Sequence, residues 1–283
     1  MRLASDRLSA QSPRMFRSNT VLLENKNAIV YGAGGAIGSA VAQAFSDAGA
    51  RVFLTGRNRT TLEALAEEIR GAGGAAEVAV VDALDADAVE AHADAVIRDA
   101  GTLDVSFNAI SLPQTGIQGI RLVDLTPESF DRPIATYPRA HFLTARAAGR
   151  RMSAQGSGVI VTITASPSRT ATPRMGGMAP AWAAVESLSR GLAAELGPQG
   201  VRVVCINAAG MPETAQLTEV YGLHAAAYGI SHEAFTARMT DLTVRKQLPT
   251  VAEIADVAVF VASDRAGGMT GAIANVTGGL FVD

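Results

Sequence analysis

The chain predicts an α/β fold, a single domain built on a doubly wound parallel sheet of about seven strands with helices on both faces. Three observations carry this. Short apolar runs alternate with amphipathic stretches from residue 26 onward, the pattern of repeated β-α-β units whose crossovers keep successive strands parallel. The runs are continuously apolar rather than alternating, as strands covered on both faces are. A glycine-rich turn follows the first run and leads straight into a helical pattern.

In chain order, strands are expected at Ala28–Tyr31, Arg51–Thr55, Glu77–Val81, Leu103–Phe107, Gly158–Ile163, Val201–Ile206 and Ala272–Val276. Between them, Arg59–Arg70 places Leu62, Leu65, Ala66 and Ile69 on one helical stripe, and Ala86–Ala100 is patterned similarly. Gly71 and Gly101 read as C-caps of these two helices, because glycine adopts the left-handed conformation that ends a helix. The long interruption Met211–Thr250 carries Tyr221, His224, Tyr228, His232 and Phe235 at spacings that predict short helices. Ligands of doubly wound sheets bind beyond the carboxyl ends of the strands, so a substrate lid is expected at about 211–250. Its two histidines have no cysteine or carboxylate cluster beside them, which argues against a metal site.

Residues 1–20 carry Arg2, Arg7, Arg14 and Arg17 against Asp6, with no apolar stretch behind the charges. This predicts a flexible basic arm rather than a secretory signal, followed by one domain over 21–283. The net charge of −3 gives no footprint for nucleic acid or an acidic membrane surface, and no apolar run is long enough to span a bilayer. The single cysteine, Cys205, lies in the run Val203–Ile206 and reads as a buried strand residue. One cysteine excludes an internal disulfide and fits a cytoplasmic location.

The turn Tyr31-Gly32-Ala33-Gly34-Gly35-Ala36-Ile37-Gly38 lets the backbone bend tightly and approach a pyrophosphate resting on a helix N-terminus. Strict G-x-G-x-x-G spacing fails at Ile37, but the strand–turn–helix context makes a Rossmann-like dinucleotide site the expectation. After the second strand stand Thr55-Gly56-Arg57-Asn58-Arg59, with no carboxylate to accept a ribose 2′-hydroxyl. A guanidinium suits a 2′-phosphate instead, so NADP(H) is the expected cofactor.

In these motifs the chain resembles the short-chain dehydrogenase/reductase family across about residues 26–283. Gly32 and Gly38 match that family's T-G-x-x-x-G-x-G, with Tyr31 for the threonine and Ala36 for the middle glycine. Val81-Asp82-Ala83 resembles its adenine-binding segment, Phe107-Asn108-Ala109-Ile110 its N-N-A-G, and Thr270 to Gly279 its closing strand. The resemblance implies cofactor contacts at Gly32, Gly34, Gly35, Ala36, Ile37, Gly38, Arg57, Asn58, Asp82, Ala83, Asn108, Ala109, Thr164, Met211 and Thr214. It further implies a homodimer or homotetramer through helices at about 126–153 and 175–197.

It also implies an Asn-Ser-Tyr-Lys catalytic tetrad, and every one of the four positions is changed. Tyr137 stands for the asparagine, Ala165 for the serine, Met178 for the tyrosine and Trp182 for the lysine. In carbonyl reduction an acid protonates the alkoxide that forms as hydride adds to carbon, a contribution of about 10²–10⁴ in rate. Met178 and Ala165 cannot supply it. Three functions remain open. One is NADPH-dependent reduction of an imine or similarly activated acceptor, which brings its own proton. Here Met178 and Trp182, four apart on a helix, would form an apolar or π-rich wall for an apolar or aromatic small molecule, and Glu213 a counter-charge. Another is carbonyl or enone reduction with an acid relocated to Tyr137, Ser166, Ser111 or Asn207. The last is a nucleotide-binding protein without turnover.

Overall fold

The computed structural model of the chain describes residues 21–282, so the basic arm expected at 1–20 lies outside the described residues. The strands are β1 (Asn27–Tyr31), β2 (Arg51–Gly56), β3 (Ala75–Val80), β4 (Val105–Asn108), β5 (Gly158–Ala165), β6 (Val201–Ala208) and β7 (Ile273–Val276). All neighbours pair in parallel, in the order β3-β2-β1-β4-β5-β6-β7. The helices are α1 (Ala36–Asp47), α2 (Arg59–Gly71), α3 (Ala86–Ala100), α4 (Pro127–Gln155), α5 (Met178–Leu196), α6 (Ala215–Tyr228), α7 (His232–Leu242) and α8 (Val251–Ala262).

β1 shows why the runs are apolar throughout. Ala28 and Val30 pack into one core cluster with residues of α1, α2 and α8, while Ile29 and Tyr31 pack into a second with residues of α3, α4 and α5. Successive side chains of a strand point to opposite faces, so a strand covered twice must be apolar at every position. Chain order reverses between β1 and β4, which opens a crevice at their carboxyl ends.

Local chemistry sets the helix ends. Asn58 caps α2 by accepting from the Thr61 N–H, Asp85 caps α3, and Thr250 with Glu253 forms a capping box on α8. Gly101 ends α3 at φ +82°, as expected. Gly71 does not end α2: the helix runs through it, Ala72 caps it, and the left-handed turn falls on Gly73 at φ +90°. β3 begins at Ala75, two residues before the expected strand, where two alanines give little β signal.

The interruption after β6 is helical, as its spacing predicted, and consists of α6 and α7. Tyr221 meets Phe235 edge-on at 5.1 Å, and His224 stacks on Phe235 at 5.4 Å, which joins the two helices into a unit. Cys205 is fully buried in β6, and burial pushes its thiol up to about 11. No helix among the described residues is long and apolar enough to cross a membrane.

Candidate active site

The glycine turn between β1 and α1 is built for close approach. Gly32 has φ +73°, and a Cβ there would stand 2.8 Å from the Ala109 carbonyl carbon. A Cβ on Gly38 would lie 2.2 Å from the Gly32 oxygen, so only glycine lets α1 start this close to the strand. The N-cap, Gly35, offers no side chain, and no acidic residue lies in the first turn of α1. The first N–H groups of α1 therefore point outward without side-chain partners, the arrangement that receives an anion. Gly34, Gly35 and Ala36 are exposed, and Gly35, Ala36 and Ile37 line the mouth of a cavity. These features fit the diphosphate of a nicotinamide dinucleotide.

Farther along the strand ends, Arg57 is exposed and forms no ion pair among the described residues, whereas Arg59 pairs with Glu63 at 3.3 Å. Asn58 has its carboxamide oxygen committed to capping α2. Asp82 is exposed and accepts from the Leu84 N–H, beside buried Ala83. Asn108 does not reach the cavity: it donates to the Thr144 hydroxyl at 2.9 Å and accepts from the Ile110 N–H at 3.1 Å, tying β4 to α4. Ala109 and Ile110, next in the chain, form the wall instead.

The cavity holds about 430 Å³ and runs from the glycine turn, past the ends of β4, β5 and β6, to the underside of α6 and α7. Ala165, Ser166, Tyr137 and Trp182 all face it. Met178 does not. It is fully buried in a small cluster with Leu112, Ile117, Tyr137, Ala181 and Val185, against which Trp182 packs. The expected two-residue wall is therefore Trp182 alone, with Met178 supporting it from behind.

Tyr137 meets Trp182 edge-on at 6.2 Å between ring centres. Burial pushes its hydroxyl up to about 12, partly offset by hydrogen bonds with the Gln216 side chain and the Leu112 backbone. No cation stands among these causes, so nothing here plays the lysine's part of easing proton loss. The Ser166 hydroxyl makes no hydrogen bond with another described residue, and its carbonyl holds the Arg169 and Thr170 N–H groups. Ser111 lies on the wall and is exposed.

Asn207 is turned away from the cavity. Its amide nitrogen donates to Glu186 at 2.7 Å and to the Ser168 hydroxyl at 2.8 Å, and its oxygen is buried without a partner. Thr164 shares that commitment: it lines the cavity, but its hydroxyl donates to Glu186 at 3.2 Å. Burial alone would raise the Glu186 carboxyl, yet hydrogen bonds from Ser168, Asn207 and Arg169 hold it below the usual range. Met211 sits on the wall in a left-handed conformation at φ +67°, and the Thr214 hydroxyl donates to its carbonyl. Thr214 also caps α6. Glu213, the expected counter-charge, accepts from the Val251 N–H at the start of α8 and lies off the cavity. Among the described residues, the lining contains no carboxylate.

Sequence reasoning missed the polar wall beside α6. Gln114 and Gln118, four apart, both line the cavity and are buried. Gln114 donates from Nε2 to the Leu112 carbonyl at 2.6 Å, and Gln118 donates from Nε2 to Gln114 Oε1 at 2.8 Å. His224 Nε2 meets Gln118 Oε1 at 3.1 Å. Burial, aided by the Arg174 charge, pulls the His224 imidazole down to about 4. Glu219 of α6 accepts from the Gln114 and Thr115 N–H groups, which pins that helix to this loop. The paired glutamines gave no signal in sequence because polar residues in a loop are ordinarily solvated. No group of His, Cys, Asp and Glu that would hold a metal ion occurs among the described residues.

The chain is similar over most of its length to known oxidoreductases. A family model described as enoyl-(acyl carrier protein) reductase matches residues 32–281. A D-threitol dehydrogenase of Mycolicibacterium smegmatis is 32% identical over 265 residues, covering 92% of this chain and 94% of its own. The crystal structure of an NAD+-bound xylitol dehydrogenase superposes with a TM-score of 0.86 at 26% identity, covering 91% of this chain and 99% of that one. A 7α-hydroxysteroid dehydrogenase in complex with NADH and 7-oxo glycochenodeoxycholic acid gives a TM-score of 0.81 at 28% identity, over 94% and 98%.

Proposed function

The chain belongs to the short-chain dehydrogenase/reductase family, and from that premise we propose that it is an NADPH-dependent reductase of acceptors that carry their own activation, a protonated imine or similarly activated group in an apolar or aromatic molecule. As a member of the family it is an oxidoreductase that works with a nicotinamide cofactor, which supplies hydride when bound. The observation that carries the finer proposal is Trp182 on the cavity wall at the family's lysine position, beside Ala165 and with Met178 sealed in the core.

Each change acts in the same direction. Ala165 offers no hydroxyl to orient a carbonyl oxygen. Trp182 replaces a fixed cation with an aromatic ring, which welcomes a cationic or aryl acceptor and removes the repulsion a lysine would exert on an iminium. A protonated C=N group takes hydride at carbon and ends as a neutral amine, so no alkoxide needs protonation. No carboxylate of a described residue lines the cavity, so positive charge at the strand end would be received by aromatic rings, Trp182 among them, while the one lining guanidinium, Arg238, stands over Tyr228 on the α7 side. Arg57, exposed after β2 and without an ion pair among the described residues, supports a preference for the 2′-phosphate of NADPH.

A second function rests on Tyr137. That residue lines the cavity, and relatives named as dehydrogenases of a polyol and of a hydroxysteroid make alcohol–carbonyl chemistry with Tyr137 as proton donor the alternative. NADPH consumption with a cyclic iminium salt and with a cyclic ketone of matched size separates the two. Turnover of the iminium alone supports the first, turnover of the ketone the second, and tight NADPH binding with neither consumed would indicate a protein without turnover.

For assembly we propose a homodimer or homotetramer through α4 and α5. Phe142 of α4 is 44% exposed and Ile134 is 36% exposed, apolar side chains on the outer surface of that helix. Sedimentation of the full chain, repeated with Phe142→Glu, tests this by loss of the larger species.

A further inference from the structure

The polar chain at the lid end fixes more than the position of His224. The Leu112 carbonyl can only accept, so the group of Gln114 facing it, at 2.6 Å, is its NH₂. Gln114 Oε1 is then turned to Gln118, which meets it with its own NH₂ at 2.8 Å. That leaves Gln118 Oε1 facing His224 Nε2 at 3.1 Å, and an oxygen acceptor requires the proton on Nε2. A neutral imidazole protonated at Nε2 carries a lone pair on Nδ1. Nδ1 makes no hydrogen bond with another described residue, yet it is not among the atoms sealed in the core, and the residue lines the cavity. The ring is held by stacking on Phe235 at 5.4 Å and on Tyr228 at 6.5 Å.

We propose that His224 is the specificity-determining residue of this cavity: its Nδ1, locked as an acceptor by the Leu112–Gln114–Gln118 chain, selects an apolar molecule that bears one hydroxyl or N–H donor at the lid end, remote from the reacting carbon. The proposal rests on the cavity being the substrate site. It adds the substrate class: a hydroxylated or N–H-bearing aromatic or alicyclic compound, rather than a plain hydrocarbon or an ether. Burial of the ring favours its neutral form, which keeps the acceptor available at neutral pH. A donor-free analogue leaves Nδ1 desolvated and unpaired, which is how a buried acceptor rejects a near-isostere.

The test reads binding and does not require turnover. Trp182 is the single tryptophan of the chain and faces the cavity, so its fluorescence reports ligands there. Regioisomeric hydroxytetralones are titrated into the NADPH-loaded protein alongside the matching methoxytetralones and unsubstituted tetralone. The best hydroxyl isomer is expected to bind about tenfold tighter than its methoxy partner. In His224→Phe that preference should fall to about twofold or less, read as the ratio of hydroxy to methoxy affinities within the variant. Gln118→Leu, which unlocks the tautomer, should reduce the preference, and His224→Gln, which restores an acceptor oxygen, should recover part of it. Equal binding of hydroxy and methoxy compounds in the unaltered protein would overturn the proposal, as would a preference that survives in His224→Phe. Should the phenylalanine variant fail to fold, the Gln118→Leu and His224→Gln pair decides alone. Absence of NADPH consumption with any imine, alongside an intact fluorescence preference, would count against the proposed reaction and not against His224.

Discussion

Trp182 presents a neutral ring to the cavity and Met178 is buried behind it, at the positions where the resemblance in sequence implies the family's lysine and tyrosine. Reinstating the pair is therefore not expected to reinstate the chemistry. Met178→Tyr combined with Trp182→Lys inserts a hydroxyl and an ammonium beside Leu112, Ile117 and Val185, at a cost of about 2–4 kcal/mol. A melting curve should show the loss, and tetralone reduction should not appear, because Ala165 still lacks a hydroxyl. Tyr137 provides the opposite control. If hydride goes to a self-activated acceptor, Tyr137→Phe should leave the rate of iminium reduction within about twofold of the parent, whereas loss of an acid costs about 10²–10⁴. Arg57→Asp should weaken NADPH binding by about tenfold or more and leave NADH binding nearly unchanged, measured by calorimetry.

Among the elements, the β1–α1 turn has the least freedom. Gly38→Val places a side chain against the Gly32 carbonyl, so α1 must move off the strand; a loss of about 1–3 kcal/mol and weaker NADPH binding are expected in the same variant. This element was legible in sequence because glycine is required by backbone geometry, and geometry leaves a pattern. The seven strands were legible for a related reason: a doubly covered strand such as β1 must be apolar at each position. Asn108 and Asn207 show where legibility ends. Both are polar residues at the ends of strands beside the expected site, and both are spent on internal hydrogen bonds, to Thr144 and to Glu186. Residue type reveals that a polar group needs a partner; only the fold tells whether the partner is a ligand or a neighbouring side chain. Gln114, Gln118 and His224 make the converse point, since their joint meaning depends on α6 lying across the loop after β4, a contact between residues 106 apart in sequence.

Across the whole molecule, buried imidazoles set the response to acid. His92, His141 and His224 are each pulled to about 4 by burial, from the ordinary 6.5. The unfolded chain takes up protons at these sites near 6.5 while the folded chain does not, so stability is fully present above that pH and is lost as pH falls toward 4. Glu186, held below the usual carboxylate value, extends the loss to lower pH, because protonation then costs its hydrogen bonds to Asn207, Ser168 and Arg169. A urea midpoint that is level above about pH 7 and declines steadily from about 6.5 downward is expected; a midpoint that rises on acidification would contradict the sign. The central claim, that hydride reaches an acceptor needing no acid from the protein, is tested most directly by NADPH consumption with an N-methyl dihydroisoquinolinium salt and with tetralone, each followed across pH. Turnover of the iminium, level with pH from about 6 to 9, with tetralone at least about 10²-fold slower, is the expected result. Reduction of tetralone at a comparable or greater rate would contradict it.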